Sequence, residues 1–249
     1  MPKFFVSEEQ LKNDTITIKG QDVNHIKNVL RKKENDRITI CNSSSEQDYL
    51  CEISNIEDDQ IICKIMDKID NNVESNIKVT IFQGLPKADK MELVIQKSVE
   101  LGVYDITPVE MKRCVVKLKE KDKTKKIERW QKISEVASKQ SGRNIIPKIN
   151  QIKQLKEICD MCSQYDVLLV AYENEKDKKL KEELHELKKQ NKQELKIGVL
   201  IGPEGGIDEK EIEMLQQCGA KVITLGKRIL RTETVALSVL SIIMYELEN

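Results

Sequence analysis

Through residues 1–70, apolar and polar side chains alternate in short runs, at 3–6, 15–18, 37–41, 49–56 and 60–69. Alternation with a period of two places one face of each run in a core and predicts strands. One stretch with helical spacing, 22–30, interrupts them, so a small β-barrel with a single helix is expected. The segment Asp70-Asn71-Asn72-Val73-Glu74-Ser75-Asn76 is polar and breaks the periodicity. It marks a domain boundary, dividing the chain into 1–72 and 73–249.

From Ile77 onward the period changes. Strand candidates at 77–83, 105–109, 166–172, 197–201 and 222–225 alternate with helical stretches near 89–101, 124–141, 152–163, 177–190, 208–218 and 233–247. This alternation predicts an α/β domain with a mostly parallel sheet. Asp208, with Glu211 three residues on, predicts a capped helix start. Thr232 is placed to cap the final helix, with Glu233 in its first turn, where the dipole favours an acid.

Composition adds little. The 42 basic and 42 acidic side chains cancel, which argues against a protein coated in positive potential but allows a local basic face. Residues 117–132 hold eight basic and three acidic side chains together with Trp130. They read either as a solvated helix face or as a phosphate-contacting ridge. The lysine- and glutamate-rich 178–192 stretch reads as a solvated face alone. No leader peptide is expected, because Met1-Pro2-Lys3-Phe4-Phe5-Val6 turns polar at once, and no apolar run reaches bilayer length. The seven cysteines read as reduced, buried thiols of a cytosolic protein. Cys159-Asp160-Met161-Cys162 has the spacing of half a zinc site, yet it lacks a second pair, and His25 and His185 are distant; no metal is expected.

The chemistry points to the last quarter. Ile201-Gly202-Pro203-Glu204-Gly205-Gly206 and Leu225-Gly226-Lys227-Arg228-Ile229-Leu230-Arg231-Thr232-Glu233-Thr234 each follow an apolar run and enter a helical pattern. Glycine-rich turns at strand C-termini are where open α/β sheets bind ligands. The pair is read as lying side by side. Neither block matches the dinucleotide fingerprint or the P-loop, and no nucleophile elbow occurs. What remains is a backbone-lined pocket rimmed by arginine, glutamate and threonine, suited to a planar hydrogen-bonding group such as adenine.

These two blocks resemble the cofactor loops of the SPOUT methyltransferases, and most of all those of the 16S ribosomal RNA (uracil-N3)-methyltransferase family. The likeness runs nearly end to end. It takes in Pro2-x-Phe4-Phe5, His25-x-x-x-Val29-Leu30-Arg31 and Leu85-Pro86-Lys87-x-Asp89-Lys90-Met91-Glu92. Gln96-Lys97-x-x-Glu100-Leu101-Gly102, Arg113 and Gln140-Ser141-x-Arg143 with Pro147 complete it. Lys227, Lys139, Ile207 and Asn35 stand where proline, glutamate, phenylalanine and glycine are frequent.

The resemblance implies a PUA-like N-terminal barrel, a C-terminal domain tied in a deep trefoil knot, and a homodimer with active sites at the subunit interface. It implies S-adenosylmethionine held among three loops by Tyr172, Glu173, Leu200, Ile201, Gly202, Glu204, Gly205, Leu225, Gly226, Ile229, Leu230 and Thr234. The implied reaction methylates N3 of a uridine in 16S rRNA of the small ribosomal subunit, in the cytoplasm. Arg231 is the expected catalytic residue, stabilising charge on the uracil oxygens, with a salt bridge to Glu204 or Glu233 as its competing role. Lys87, Lys90, Arg113, Arg143 and Arg31 are expected to contact RNA. Glu204 is expected to hold its own turn rather than act as a base. Rival readings are methylation of a ribose 2′-hydroxyl or another base, and a non-catalytic RNA-binding assembly factor.

Overall fold

A computed structural model describes residues 3–70 and 73–248. Pro2, and Asn71 and Asn72 at the expected domain boundary, lie outside the described residues. The chain forms two compact units: Met1–Glu74 with Ser138–Ile146, and Ser75–Ala137 with Pro147–Asn249.

In the first unit, β1 (Lys3–Val6), β2 (Leu11–Lys12), β3 (Thr15–Lys19), β4 (Arg37–Asn42), β5 (Gln47–Ile56) and β6 (Gln60–Ile69) form one curled sheet. Its order is β1-β4-β5-β6-β3-β2, antiparallel except for the parallel β1–β4 edge. Alternation decides which side chains turn inward: Phe4, Ile16, Ile18, Ile40, Ile53 and Ile61 are buried in one cluster. The helix expected over 22–30 is α1 (Gln21–Asn24) followed by a π-helical turn, His25–Val29. Gly20, at φ 76°, opens it and Arg31, at φ 52°, ends it in the left-handed region.

Residues 138–146 are held in this unit by buried charge. The Arg143 guanidinium grips the Glu74 carboxylate through Nε and Nη2, and that carboxylate also accepts from the backbone N–H of Asn144 at 2.7 Å and of Ile145 at 3.2 Å. Lys3 Nζ meets Asp48 at 2.6 Å and donates to Asn144 Oδ1 at 2.6 Å. Arg143 is therefore committed inside the unit, at 6% exposure. Arg143, expected to contact RNA, is here held by Glu74, because a guanidinium out of water needs its counter-charge beside it.

The second unit holds a parallel sheet: β7 (Ile77–Gly84), β8 (Asp105–Glu110), β9 (Lys148–Ile149), β10 (Lys153–Gln154), β11 (Val167–Ala171), β12 (Leu195–Ile201) and β13 (Lys221–Ile223). The order is β10-β8-β7-β12-β11-β13, with β9 also on β8, and every pairing is parallel. Strands buried on both faces read as continuous apolar runs, as 197–201 does. The helices are α2 (Lys90–Glu100), α3 (Glu120–Ser141), α4 (Leu155–Asp160), α5 (Leu180–Lys189), α6 (Glu209–Gln217) and α7 (Thr232–Leu247). On α5 only Leu180, Leu184 and Leu187 are buried, leaving its charges in water. On α3, Trp130 packs into the core at 4% exposure, while Lys123 pairs with Glu110 and Glu120, and Arg129 with Glu92. The basic ridge is thus partly neutralised and its aromatic is unavailable to a base. The seven thiols are free, four of them buried. Among the described residues no helix is long and apolar enough to cross a membrane.

Candidate functional site

Three strand C-termini of the second unit converge on one cavity of about 520 Å³, within the usual range for a small-molecule site. Residues 202–206 follow β12, Tyr172 and Glu173 follow β11, and 224–231 follow β13. The two glycine-rich loops are not neighbours, because β11 lies between β12 and β13. The cavity is therefore three loops wide.

Local backbone chemistry shapes each loop. A Cβ on Gly205 would lie 3.0 Å from both the Cβ and the backbone oxygen of Arg113, and one on Gly202 would lie 2.8 Å from Ile207 Cγ1. Side chains there would push the 202–206 turn out of place. Gly226 is the opposite case: at φ 115° it adopts a conformation other residues avoid, and a Cβ on it would meet no atom within 4 Å. It contributes bare backbone to open space. Asp208 caps α6 as expected, accepting from Lys210 N and sharing a capping box with Glu211.

Thr232 departs from expectation. The N-cap of α7 is Arg231, and Thr232 is the first helical residue. Its hydroxyl donates to Gly202 O at 2.7 Å and accepts from Gln83 Nε2 at 2.8 Å. One buried hydroxyl thus joins the end of β7, the 202–206 loop and the start of α7. Gln83 is fully buried; the signal for it was a lone amide closing the apolar run of β7. Replacing Thr232 by valine leaves Gly202 O and one Gln83 proton without a partner. The expected loss is roughly 1–3 kcal/mol, measurable by denaturant unfolding, with Thr232→Ser retaining most of the stability.

Charge at the site is sorted unequally. Glu204 accepts from the backbone N–H of Lys87 at 3.0 Å and pairs with Lys90 Nζ at 3.0 Å. Lys90 also lies 3.5 Å from Glu233. Burial pushes the Glu204 carboxyl up, but Lys90 and the Lys87 N–H outweigh it and its pKa is lowered. The bond to Glu204 raises Lys90 above the ordinary lysine range. Both groups stay charged near neutrality: Lys90, protonated, has no lone pair to accept a proton, and Glu204, ion-paired with its pKa lowered, is a weakened base. Since the folded pKa of Glu204 is depressed, its contribution is present above the ordinary carboxylate range and lost as pH falls through the lowered value. Arg231 is exposed at the rim, and its guanidinium has no partner among the described residues. The salt bridge considered for it, to Glu204 or Glu233, is absent because both acids face Lys90.

Of the residues expected at the cofactor, Tyr172, Glu173, Ile201, Gly202, Glu204, Gly205, Leu225, Gly226, Ile229 and Leu230 line the cavity. Leu200 lies in the core beneath it, fully buried, and Thr234 is exposed on α7 away from the lining. Pro203, Gly206, Thr224, Lys227, Arg228 and Val235 also line it. Among the expected RNA contacts, Lys90 lines the cavity and Arg113 stands beside it, donating to Gly205 O at 3.3 Å. Lys87 is exposed at the same edge, and Arg31 is exposed on the first unit.

Comparison with known proteins agrees with this geometry. An RNA methyltransferase domain profile matches residues 73–244, and an RNA methyltransferase PUA domain profile matches 18–66. Ribosomal RNA small subunit methyltransferase E of Bacillus subtilis is 36% identical, covering 100% of this chain and 98% of its own. The enzyme of that name from Neisseria gonorrhoeae, solved bound to S-adenosyl methionine, superposes with a TM-score of 0.85 at 31% identity, over 98% of this chain and 97% of that one. A Legionella pneumophila methyltransferase solved with bound cofactor SAM gives 0.84 at 28% identity, over 98% and 96%. With two domain profiles and a full-length relative in agreement, the chain belongs to the ribosomal RNA small subunit methyltransferase E family.

Proposed function

We propose that this protein uses S-adenosylmethionine to methylate N3 of one uridine in small-subunit ribosomal RNA, as a cytoplasmic homodimer. The observation that carries the reading is an unpaired guanidinium, Arg231, at the mouth of a backbone-lined cavity formed by three strand ends.

The residues present fit the cofactor. Gly226 leaves backbone bare toward open space, and Leu225, Ile229 and Leu230 line the same side with apolar surface. An adenine needs both: main-chain groups for its edge and apolar walls for its faces. Tyr172, Glu173 and the 202–205 loop would hold the rest. When bound, S-adenosylmethionine supplies a methyl group on a positively charged sulfur that leaves readily.

The protein's own part is to orient the acceptor and to favour its deprotonated form. Loss of the N3 proton spreads negative charge onto the uracil O2 and O4. Arg231 is always protonated and offers a planar fork of donors to such oxygens. A fixed donor aimed at developing charge is worth far more than the same group in water. Lys90 is held protonated and Glu204 is weakened as a base by its partners, so neither is assigned the N3 proton. The target nitrogen lies on the Watson–Crick edge, so the base must be unpaired or flipped out. Lys87, Arg113 and Arg31 are the proposed phosphate contacts; Arg143 is not among them.

Methyl transfer from labelled cofactor to small subunits of a deletion strain tests this. The expected product is 3-methyluridine at one position, identified by mass spectrometry. Label on a ribose or another base would move the chemistry elsewhere in the superfamily. Saturable cofactor binding without transfer would favour a non-catalytic assembly factor.

A further inference from the structure

Lys90, Glu204, Arg231 and the nearby Glu233 carry more charge than a cofactor pocket requires. Arg231 sits two residues from Glu233, and both it and Glu204 line or border one cavity. Glu204 lines the same cavity as the exposed Arg231 and is an acid to which that arginine could turn. Instead both acids turn to Lys90, whose ammonium lies 3.0 Å from Glu204 and 3.5 Å from Glu233. Their side chains are only 24% and 13% exposed, so an alternative cation could not be replaced cheaply by water.

The position of Lys90 sharpens the point. It is the first residue of α2, after Asp89, and a cation at a helix N-terminus opposes the macrodipole. Something other than its helix holds it there. A compact ammonium has three donors that spread out of any one plane, whereas the five donors of a guanidinium all lie in one plane. Lysine suits this place: its ammonium hydrogen-bonds Glu204 and stays within ion-pair range of the buried Glu233 Oε2, which has no hydrogen-bond partner of its own among the described residues.

We infer that Lys90 is a positioning residue that sequesters Glu204 and Glu233, keeping the Arg231 guanidinium free for an anionic oxygen of the substrate. The inference rests on the methyltransferase reading for its kinetic consequence, but not for its structural one. Lys90 touches neither the reacting atoms nor the leaving group. Its effect passes through Arg231. The proton on Lys90 stays in place throughout, and no bond is made or broken at it.

The test uses the full chain with Lys90→Met, Lys90→Arg and the double variant Lys90→Met with Glu233→Gln. For Lys90→Met, kcat should fall about tenfold, less than the ~10²–10³ for deleting a transition-state donor, with the S-adenosylmethionine Kd nearly unchanged. Removing the charge of Glu233 in the double variant should recover part of that loss, which a merely structural role of Lys90 would not allow. Lys90→Arg should fall between, since a planar fork fits two acids approaching from different loops less well than an ammonium does. A crystal structure of Lys90→Met should show Arg231 turned onto Glu204 or Glu233. Unchanged kcat in Lys90→Met, no recovery in the double variant, or Arg231 still unpaired in the crystal would each overturn the proposal. If the unsubstituted protein transfers no methyl group to small subunits, the functional reading fails by itself, and the crystallographic comparison still decides the role of Lys90. If Lys90→Met does not fold, Glu233→Gln alone, which relaxes the competition for Arg231, must leave kcat at or above its original level; a loss would overturn the idea.

Discussion

Truncating Arg231 to alanine is expected to lower kcat by about 10²–10³ while shifting the S-adenosylmethionine Kd by less than threefold, roughly 0.6 kcal/mol. The asymmetry follows from where the residue lies. Its backbone closes the loop before α7, with φ −68° and ψ 149°, and its carbonyl accepts the first helical N–H, that of Val235. Alanine keeps both. Only the guanidinium is lost, and no other described residue depends on it. An interaction that forms only as charge develops on the acceptor lowers kcat and kcat/KM together when it is removed. Arg231→Lys should recover little, because a point charge cannot reproduce a planar two-donor contact. Single-turnover transfer to small subunits, alongside cofactor calorimetry, checks it. Equal turnover in Arg231→Ala would remove the residue from the mechanism. A large loss of cofactor affinity would recast it as a cofactor ligand.

The second large effect concerns stability. Glu74→Ala should destabilise the first unit by about 3–5 kcal/mol, the cost of removing one partner of a buried ion pair. Arg143 and Glu74 have side chains only 8% and 10% exposed. Without Glu74, the guanidinium and the N–H groups of Asn144 and Ile145 lose their shared acceptor. Loss of that many partners at one carboxylate also argues against repair by a single water. Replacing both residues, Glu74→Met with Arg143→Leu, should be milder than Glu74→Ala, since no charge is left buried without its counter-charge, with the loss of the Glu74 acceptor for the Asn144 and Ile145 N–H groups as the remaining cost. Unfolding in urea, read by a probe in each unit, separates the cases. A Glu74→Ala protein with an unchanged midpoint would show that the pair does little to hold residues 138–146 in place.

The alternating and continuous apolar runs place nearly every strand and helix of the structure within a few residues. That follows because burial on one face or two is written directly into the local period. Misplaced details share one cause. Thr232 reads locally as an N-cap, and a hydroxyl at that position ordinarily bonds its own helix. Here a carbonyl from a loop 30 residues earlier competes for it. Arg143 reads locally as a surface cation two residues from Ser141, and only the fold brings Glu74 from 69 residues away to bury it. The short strands β9 and β10, of two residues each, are too brief to carry a period.

The cavity divides the same way. Glycines at 202, 205 and 226 and an arginine at 231 are visible in the chain as breaks at the ends of apolar runs, because a tightly packed turn excludes a Cβ at 202 and 205 and a positive φ favours glycine at 226. Sequence alone therefore determined the two units' element types and the loops that line the cavity, and it singled out Arg231 as the residue proposed to face the acceptor. Tertiary structure alone decided that β11 enters between β12 and β13, that Gln83 and Thr232 lock the loops together, and that Lys90 claims the carboxylates near Arg231. Those choices depend on which of several distant, equally suitable partners the folded sheet brings within hydrogen-bond reach, and no local pattern encodes that distance.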